Sequence, residues 1–199
     1  MQLASQSRDS DQKMSPSIYA ALIDSLFTDP GPMFAGALCA AIAAIMTALK
    51  TGNMLLWPCV ALLVITGALR ALDTRQYQKV RSTLTAEGVA RWEVRYQFGA
   101  MLYAAALGLW CVVALLGSDD AVAHMIAASV TLCYVAAGGG RAYGRPWIFH
   151  VQMLLACGPL TIALAAHGNP YYIGMALLSV LFFFALKHIS TSLQKIFVR

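Results

Sequence analysis

Hydrophobic residues along the chain fall into six long runs separated by short polar connectors. Five runs come close to the ~20 apolar residues that a helix needs to cross a bilayer, and the run after Asn53 is slightly shorter. The pattern therefore predicts an all-α integral membrane protein, a bundle of six transmembrane helices within residues 30–188. The predicted spans are 33–49, 54–69, 98–116, 121–137, 147–166 and 171–186.

The composition agrees with a membrane environment. Hydrophobic residues make up 59% and charged residues 12% of the 199 positions, whereas about 25% of an ordinary soluble domain is charged. The short connectors leave no room for a separate soluble domain. The polar start of the chain lacks the cleavage pattern of a signal peptide, so we expect no cleaved leader.

The charges predict the orientation of the bundle. Both tails and the connectors after the second and fourth spans are basic, whereas the other side carries Lys50, Asp119 and Asp120. Because basic residues near span ends stay in the cytoplasm, both chain termini are predicted to be cytoplasmic. No aromatic-rich basic module accompanies the +5 charge, so membrane lipids and not nucleic acid are the expected partners. The predicted headgroup contacts are Arg91, Arg95, Arg141 and Arg145.

A short amphipathic helix is predicted before the first span. Residues 1–14 form a polar tail that we expect to be disordered, and Ser15 and Pro16 then supply a helix start. Apolar side chains, including Ile23 and Phe27, share one face up to residue 29. We predict that helix 15–29 lies in the inner headgroup layer, with packing under the bundle as the alternative.

Small residues and glycines suggest close helix packing and one bend. Rows that include Gly36 and Ala40 in the first span, and Ala104 and Gly108 in the third, suit close packing in lipid, either within one bundle or between two copies. Pro159 predicts a kink in the fifth span. The glycine-rich stretch 138–146 is interpreted as an inner turn and not as a phosphate cradle.

Few polar side chains are available for ligands. No charged residue lies near the centre of a predicted span, which argues against a pump, an ion-coupled carrier or a voltage sensor. His124 and His150 are separated by roughly 15–20 Å along the membrane normal, too far to share a haem iron. His124 and His167 lack a third metal ligand. The sequence predicts no metal site and assigns no cofactor. His150, Gln152 and Tyr134 are the candidates for a ligand pocket, and hydrogen bonding to neighbouring helix backbones is the alternative.

The apolar pattern continues past the sixth span. Ile189, Leu193 and Ile196 recur at helical spacing, which predicts an exit helix over residues 189–199 with one apolar stripe. Two such stripes can pair as a coiled coil, so we expect a homodimer. These three residues are the candidates for signal relay into the cytoplasm.

The chain resembles the N-terminal membrane module of alphaproteobacterial GGDEF/EAL signalling proteins. The likeness rests on the six-span layout, segment 91–96, the turn 138–147 and the closing segment 186–195. In that family the module precedes PAS, diguanylate cyclase and phosphodiesterase domains that make or degrade cyclic di-GMP. None of those signatures occurs here, so the resemblance implies a non-enzymatic input region in the bacterial inner membrane.

The resulting hypothesis is a sensory and dimerising module that detects a small molecule, a lipid or a membrane state. The main alternative is a small transporter or channel, and the third is a haem-binding or quinone-binding redox protein. Transport would need a polar pathway at mid-depth, for which the sequence supplies few residues.

Overall fold

The six predicted helices are present in the computed structural model. The structure describes residues 23–24, 27, 31–81, 86–139 and 146–197, without the side chains of 32, 86, 87, 139, 146 and 193–197. All six helices of this part are long and apolar enough to span a membrane, which confirms an all-α membrane bundle. They are α1 Gly31–Thr51, α2 Leu56–Val80, α3 Ala86–Leu116, α4 Ala121–Gly139, α5 Pro146–Ala166 and α6 Pro170–Phe197.

Two helices extend well beyond the predicted spans. α2 continues to Val80 instead of ending at residue 69, and α3 begins at Ala86 instead of 98. The predicted second span ends one residue before Arg70, whereas the backbone of Arg70 is part of α2. Segment 91–96 therefore belongs to the same continuous helix as the third span. A helix does not stop where apolar residues stop, since polar residues with long side chains are also good helix formers.

α3 is the central helix of the bundle. It packs against α2, α4 and α5, while α5 carries α6 on its outer side. Of the most apolar stretch of each helix, 56% is buried in α3 and only 17% in α6. Ala104, Leu107 and Trp110 of α3 are fully buried. α6 is consequently peripheral and leaves most of its surface for lipid or for another protein.

α3 and α5 make their closest approach at Gly108. A Cβ at this position would collide with the carbonyl oxygen of Leu155 and would lie 3.0 Å from Cγ of Pro159. Because Pro159 has no N–H, the Leu155 carbonyl lacks its usual helical donor, and only a residue without a side chain fits against it. Packing within one bundle thus accounts for the small residue at 108.

The described part of segment 15–29 packs onto the bundle. Ile23 and Phe27 are 0% and 2% exposed. The ring of Phe27 stacks on Tyr77 with 4.0 Å between centroids and meets Tyr96 edge-on at 5.2 Å. Trp92 joins the same aromatic cluster. These contacts favour the alternative in which this segment packs under the bundle. Trp92 and Tyr96 contact its aromatic ring.

The two ends of the bundle differ in charge. Among the described residues, the end at which α2 finishes and α3 begins carries five arginines, and we call it the arginine-rich end: Arg70, Arg75, Arg81, Arg91 and Arg95. The other end, called the opposite end, carries Lys50, Asp119 and Asp120. Successive helices run in alternating directions, so α1, α3 and α5 start at the arginine-rich end.

Candidate functional site

A cavity of about 440 Å³ lies in the half of the bundle near the arginine-rich end. α1, α2, α3 and α4 form most of its wall, and α5 contributes one residue. The wall is largely apolar and includes a few polar side chains, a combination typical of small-molecule sites. Those polar side chains are Arg70, Tyr96, Tyr103, Ser129, Tyr134 and Gln152.

Arg70 is the cation of this cavity. Its guanidinium carbon lies 5.4 Å from the ring centroid of Tyr103 and 5.9 Å from that of Tyr96. It also interacts with the hydroxyl of Tyr134. The electron-rich ring faces stabilise the charge, but no carboxylate pairs with Arg70 among the described residues.

Tyr103 places an unpaired hydroxyl in the cavity wall. The residue is 1% exposed, and within the described part of the chain its hydroxyl has no hydrogen-bond partner. Leaving a buried polar group unpaired costs about 1–3 kcal/mol. Its ring lies 5.3 Å from the ring of Tyr134, whose hydroxyl donates to Oε1 of Gln152 at 3.5 Å. The cavity therefore offers a positive charge and a free hydroxyl close together.

The cavity opens sideways between α1 and α4. Gly36 and Cys39 on α1 and Ser129 and Cys133 on α4 line it and are exposed. In a bilayer this face is reached from the lipid, so the cavity is accessible to molecules dissolved in the membrane.

The structure separates the three predicted pocket residues. Tyr134 and Gln152 line the cavity, whereas His150 does not. The Nε2 atom of His150 is buried without a partner among the described residues, and its ring lies beside that of Phe149 at 6.1 Å. Arg70 was missed because the hydropathy run ends at residue 69. A continuous α2, indicated by the helix formers that follow, is the signal that finds it.

The opposite end contains a closed hydrogen-bond network around His124. Nε2 of His124 donates to the carbonyl oxygen of Ser118 at 2.8 Å, and in the neutral ring Nδ1 then accepts from the Tyr172 hydroxyl at 2.6 Å. The ring of His167 stacks on Tyr172 with 4.1 Å between centroids. His124 and His167 do come together, at 5.3 Å, but both nitrogens of His124 are already bonded. No group of three metal-ligating side chains occurs in the part of the chain described.

Asp120 and Asn53 complete the network at this end. Asp120 accepts from the backbone N–H of Ala123 at 2.8 Å and pairs with Nζ of Lys50 at 2.9 Å. The Ala123 N–H, followed by Lys50, lowers the pKa of Asp120. Nδ2 of Asn53 donates to the Gly117 carbonyl at 2.9 Å. Together with the contacts of His124 and His167, these contacts link three interhelix connections and hold the opposite end together.

The predicted headgroup arginines have different surroundings. Arg95 pairs with Asp73 at 2.6 Å and lies over the ring of Trp92 at 5.0 Å. Arg91 is exposed. Arg141 and Arg145 lie outside the described residues.

The predicted relay residues all belong to α6. Ile189 is 52% exposed. Leu193 and Ile196 lie within the helical range, but their side chains are outside the described part. The helix itself passes from Pro170 through all three positions without a break.

Comparison with known proteins identifies no relative. No protein-family model, curated protein or solved structure matches the chain. The structure defines the class, a six-helix membrane bundle with a largely apolar cavity in one half that carries a few polar side chains. The likeness to cyclic di-GMP signalling modules stays a prediction from the sequence.

Proposed function

We propose that this chain is the membrane input module of a signalling protein. A small molecule binds in the cavity, the helices around it adjust, and α6 carries the change out of the membrane. The observation that supports this most directly is the continuity of α6, which spans the apolar layer and extends as one helix to Phe197. A helix of 28 residues is longer than the ~20 needed for crossing.

The cavity and α6 are linked through α5. Gln152 of α5 lies in the cavity wall and bonds Tyr134 of α4. α5 packs along α6, which has only minor contacts with α4. A ligand that changes the Tyr134–Gln152 contact therefore acts on the helix that supports α6, and a packed interface transmits such a shift.

The proposed module works as a homodimer with both chain ends in the cytoplasm of a bacterium. Basic residues at the arginine-rich end favour the inner leaflet of the inner membrane. The exposed Ile189 begins the stripe through which two copies of α6 would pair. By the sequence resemblance, the output domains are a diguanylate cyclase or phosphodiesterase, and the chain has no enzymatic role of its own.

Transport agrees less well with the packing. Between the cavity and the opposite end, the interior is filled by the buried side chains of Leu63, Leu107, Trp110 and Leu115. The indole Nε1 of Trp110 donates to Thr47 at 3.2 Å, which fixes the large ring in place. Substrate flux through liposomes that contain the purified chain would contradict the signalling proposal.

The relay is tested with a diguanylate cyclase fused after residue 199, with cyclic di-GMP as the output. Two residues inserted after Ser192 turn the following helix by about 200°, whereas seven residues restore its phase to within about 20°. We expect the two-residue insertion to abolish regulation and the seven-residue insertion to retain it. Equal output from both would overturn the relay.

A single substitution tests the apolar stripe with a smaller change to the helix than an insertion. Leu193→Asn interrupts the predicted stripe, and Gln194→Asn changes the next residue, which lies off it. We expect altered cyclic di-GMP output from the first fusion and unchanged output from the second. Membrane levels of both proteins are compared by immunoblot, so that a loss of expression is not taken for a loss of signalling.

A further inference from the structure

We infer that the cavity binds an amphiphile with one anionic headgroup, a carboxylate or a phosphate, whose apolar body lies between α1 and α4. The inference rests on the proposed function only in treating the cavity as the input site. Binding itself is measured without any output domain.

The headgroup is assigned from Arg70 and Tyr103. The guanidinium presents several N–H donors and a permanent charge, and no acidic side chain is among the residues that line the cavity. The Tyr103 hydroxyl, unpaired and almost fully buried, is a further donor. An anionic oxygen accepts from both groups and neutralises the charge, and such charge-assisted hydrogen bonds are the strong ones.

The apolar body is assigned from the rest of the wall. Met33, Phe34 and Ala37 of α1 face Val130 and Ala137 of α4 across the cavity. Its volume is in the range that holds a drug-sized or single-chain molecule. Because the opening lies between α1 and α4, a molecule enters from the bilayer, where amphiphiles are concentrated.

Neutral and cationic ligands fit less well. A neutral molecule with a carbonyl group can accept a hydrogen bond from Tyr103, but it leaves the charge of Arg70 uncompensated. A cation is repelled by Arg70. The charge of the headgroup is therefore the property that separates this inference from its competitors.

The test measures binding to the purified chain in nonionic maltoside micelles. Palmitic acid, hexadecyl phosphate and hexadecanol compete with a fluorescent fatty acid. We expect one or both anionic compounds to bind at least about tenfold more tightly than hexadecanol, the typical worth of a charge-assisted hydrogen bond. Stronger binding of the acid points to a free fatty acid, and stronger binding of the phosphate points to a phospholipid. Equal binding of the alcohol overturns the inference.

Two variants locate the headgroup. Arg70→Gln removes the charge and is expected to weaken anion binding about tenfold or more. Its control is Arg75→Gln, because Arg75 is an exposed arginine of the same helix that also lies over an aromatic ring, 5.4 Å from that of Phe34. Tyr103→Phe deletes only the hydroxyl and is expected to weaken binding severalfold. Unchanged affinity in Arg70→Gln overturns the assignment.

The binding test and the relay test fail independently. If the anion binds as expected but the cyclase fusion ignores helix phase, the site stands and the signalling proposal falls. If the fusion depends on phase but no anionic amphiphile binds, the relay stands and this inference falls.

Discussion

The two halves of the bundle treat their polar side chains differently. At the opposite end, both nitrogens of His124 are hydrogen-bonded and Asp120 both caps α4 and pairs with Lys50. Near the arginine-rich end, the hydroxyl of Tyr103 has no partner and Arg70 has no acid within the part of the chain described. Closed networks hold helices together, whereas open groups beside a cavity are available to a ligand. The polar side chains of the opposite end thus hold helices together, and the half that contains the cavity is where we propose that a ligand binds.

The largest expected loss of stability concerns the close contact between α3 and α5 at Gly108, which supports both halves of the bundle. Gly108→Ala drives a methyl group into the Leu155 backbone, which a side-chain movement cannot relieve, so we expect a loss of about 3 kcal/mol in unfolding free energy. Gly36→Ala is the matched control, since nothing lies within 4 Å of its added carbon. We expect the control to be neutral or stabilising by up to ~1 kcal/mol. Denaturant unfolding in micelles measures both, and similar losses would contradict the packing described.

The next largest loss of stability is expected when the imidazole of His124 is removed from the opposite end. His124→Ala removes two hydrogen bonds and leaves the Tyr172 hydroxyl and the Ser118 carbonyl without this partner. We expect a loss of about 2–3 kcal/mol. His167→Ala, which removes a stacked ring but leaves those bonds intact, is expected to cost less. If His167→Ala costs more, the network is not what stabilises this end.

In the half that contains the cavity, we expect a smaller change in stability, and one of opposite sign. Tyr103→Phe removes a buried hydroxyl that has no partner in the described structure, so stability without ligand should be unchanged or rise by about 1 kcal/mol. The same variant is expected to bind the anionic amphiphile less well. Gain of stability with loss of affinity is a result that a purely structural tyrosine would not give.

The smallest effect concerns pH. The pKa of Asp120 is lowered in the folded protein, so its contribution is complete above the ordinary value near 3.9 and is lost as the pH falls through the lowered value. Because this carboxylate is solvent-accessible, the change is small. Asp120→Asn should flatten the pH dependence of the melting temperature below about pH 4. An identical acid profile in the variant would assign the effect to other groups.

The sequence predicted the fold better than the site. Apolar runs mark the spans because lipid contact requires them. Three predicted ranges match α1, α4 and α5 to within two residues at both ends, and the other three match at one end: the start of α2, the end of α3 and the start of α6. Apolar runs do not show how far a helix continues beyond the apolar layer. For this reason the predicted second span ended before Arg70. A long arginine near the interface is compatible with a continuing helix, since its charge can reach a polar environment.

The sequence also did not show how each helix is rotated about its own axis, which decides which side chains face the cavity. Residues 150 and 152 are two positions apart and therefore lie roughly 200° apart around α5. Only one of the two can therefore line a cavity on one side of α5, and in the structure this residue is Gln152. The choice depends on which face of α5 meets α3, where Gly108 allows the close approach at Leu155 and Pro159.

The attachment of Tyr172 to His124 gives α6 the mechanics of a lever. Its first turn is held by a 2.6 Å hydrogen bond, and its far end has no comparable fixed point among the described residues. Twenty residues separate Tyr172 from Ser192, about 30 Å at ~1.5 Å per residue. A tilt of about 5° at the fulcrum thus displaces Ser192 by roughly 2.6 Å, half of one helical turn. In the proposed relay, a small tilt of α6 about its first turn would therefore become a larger displacement at Ser192.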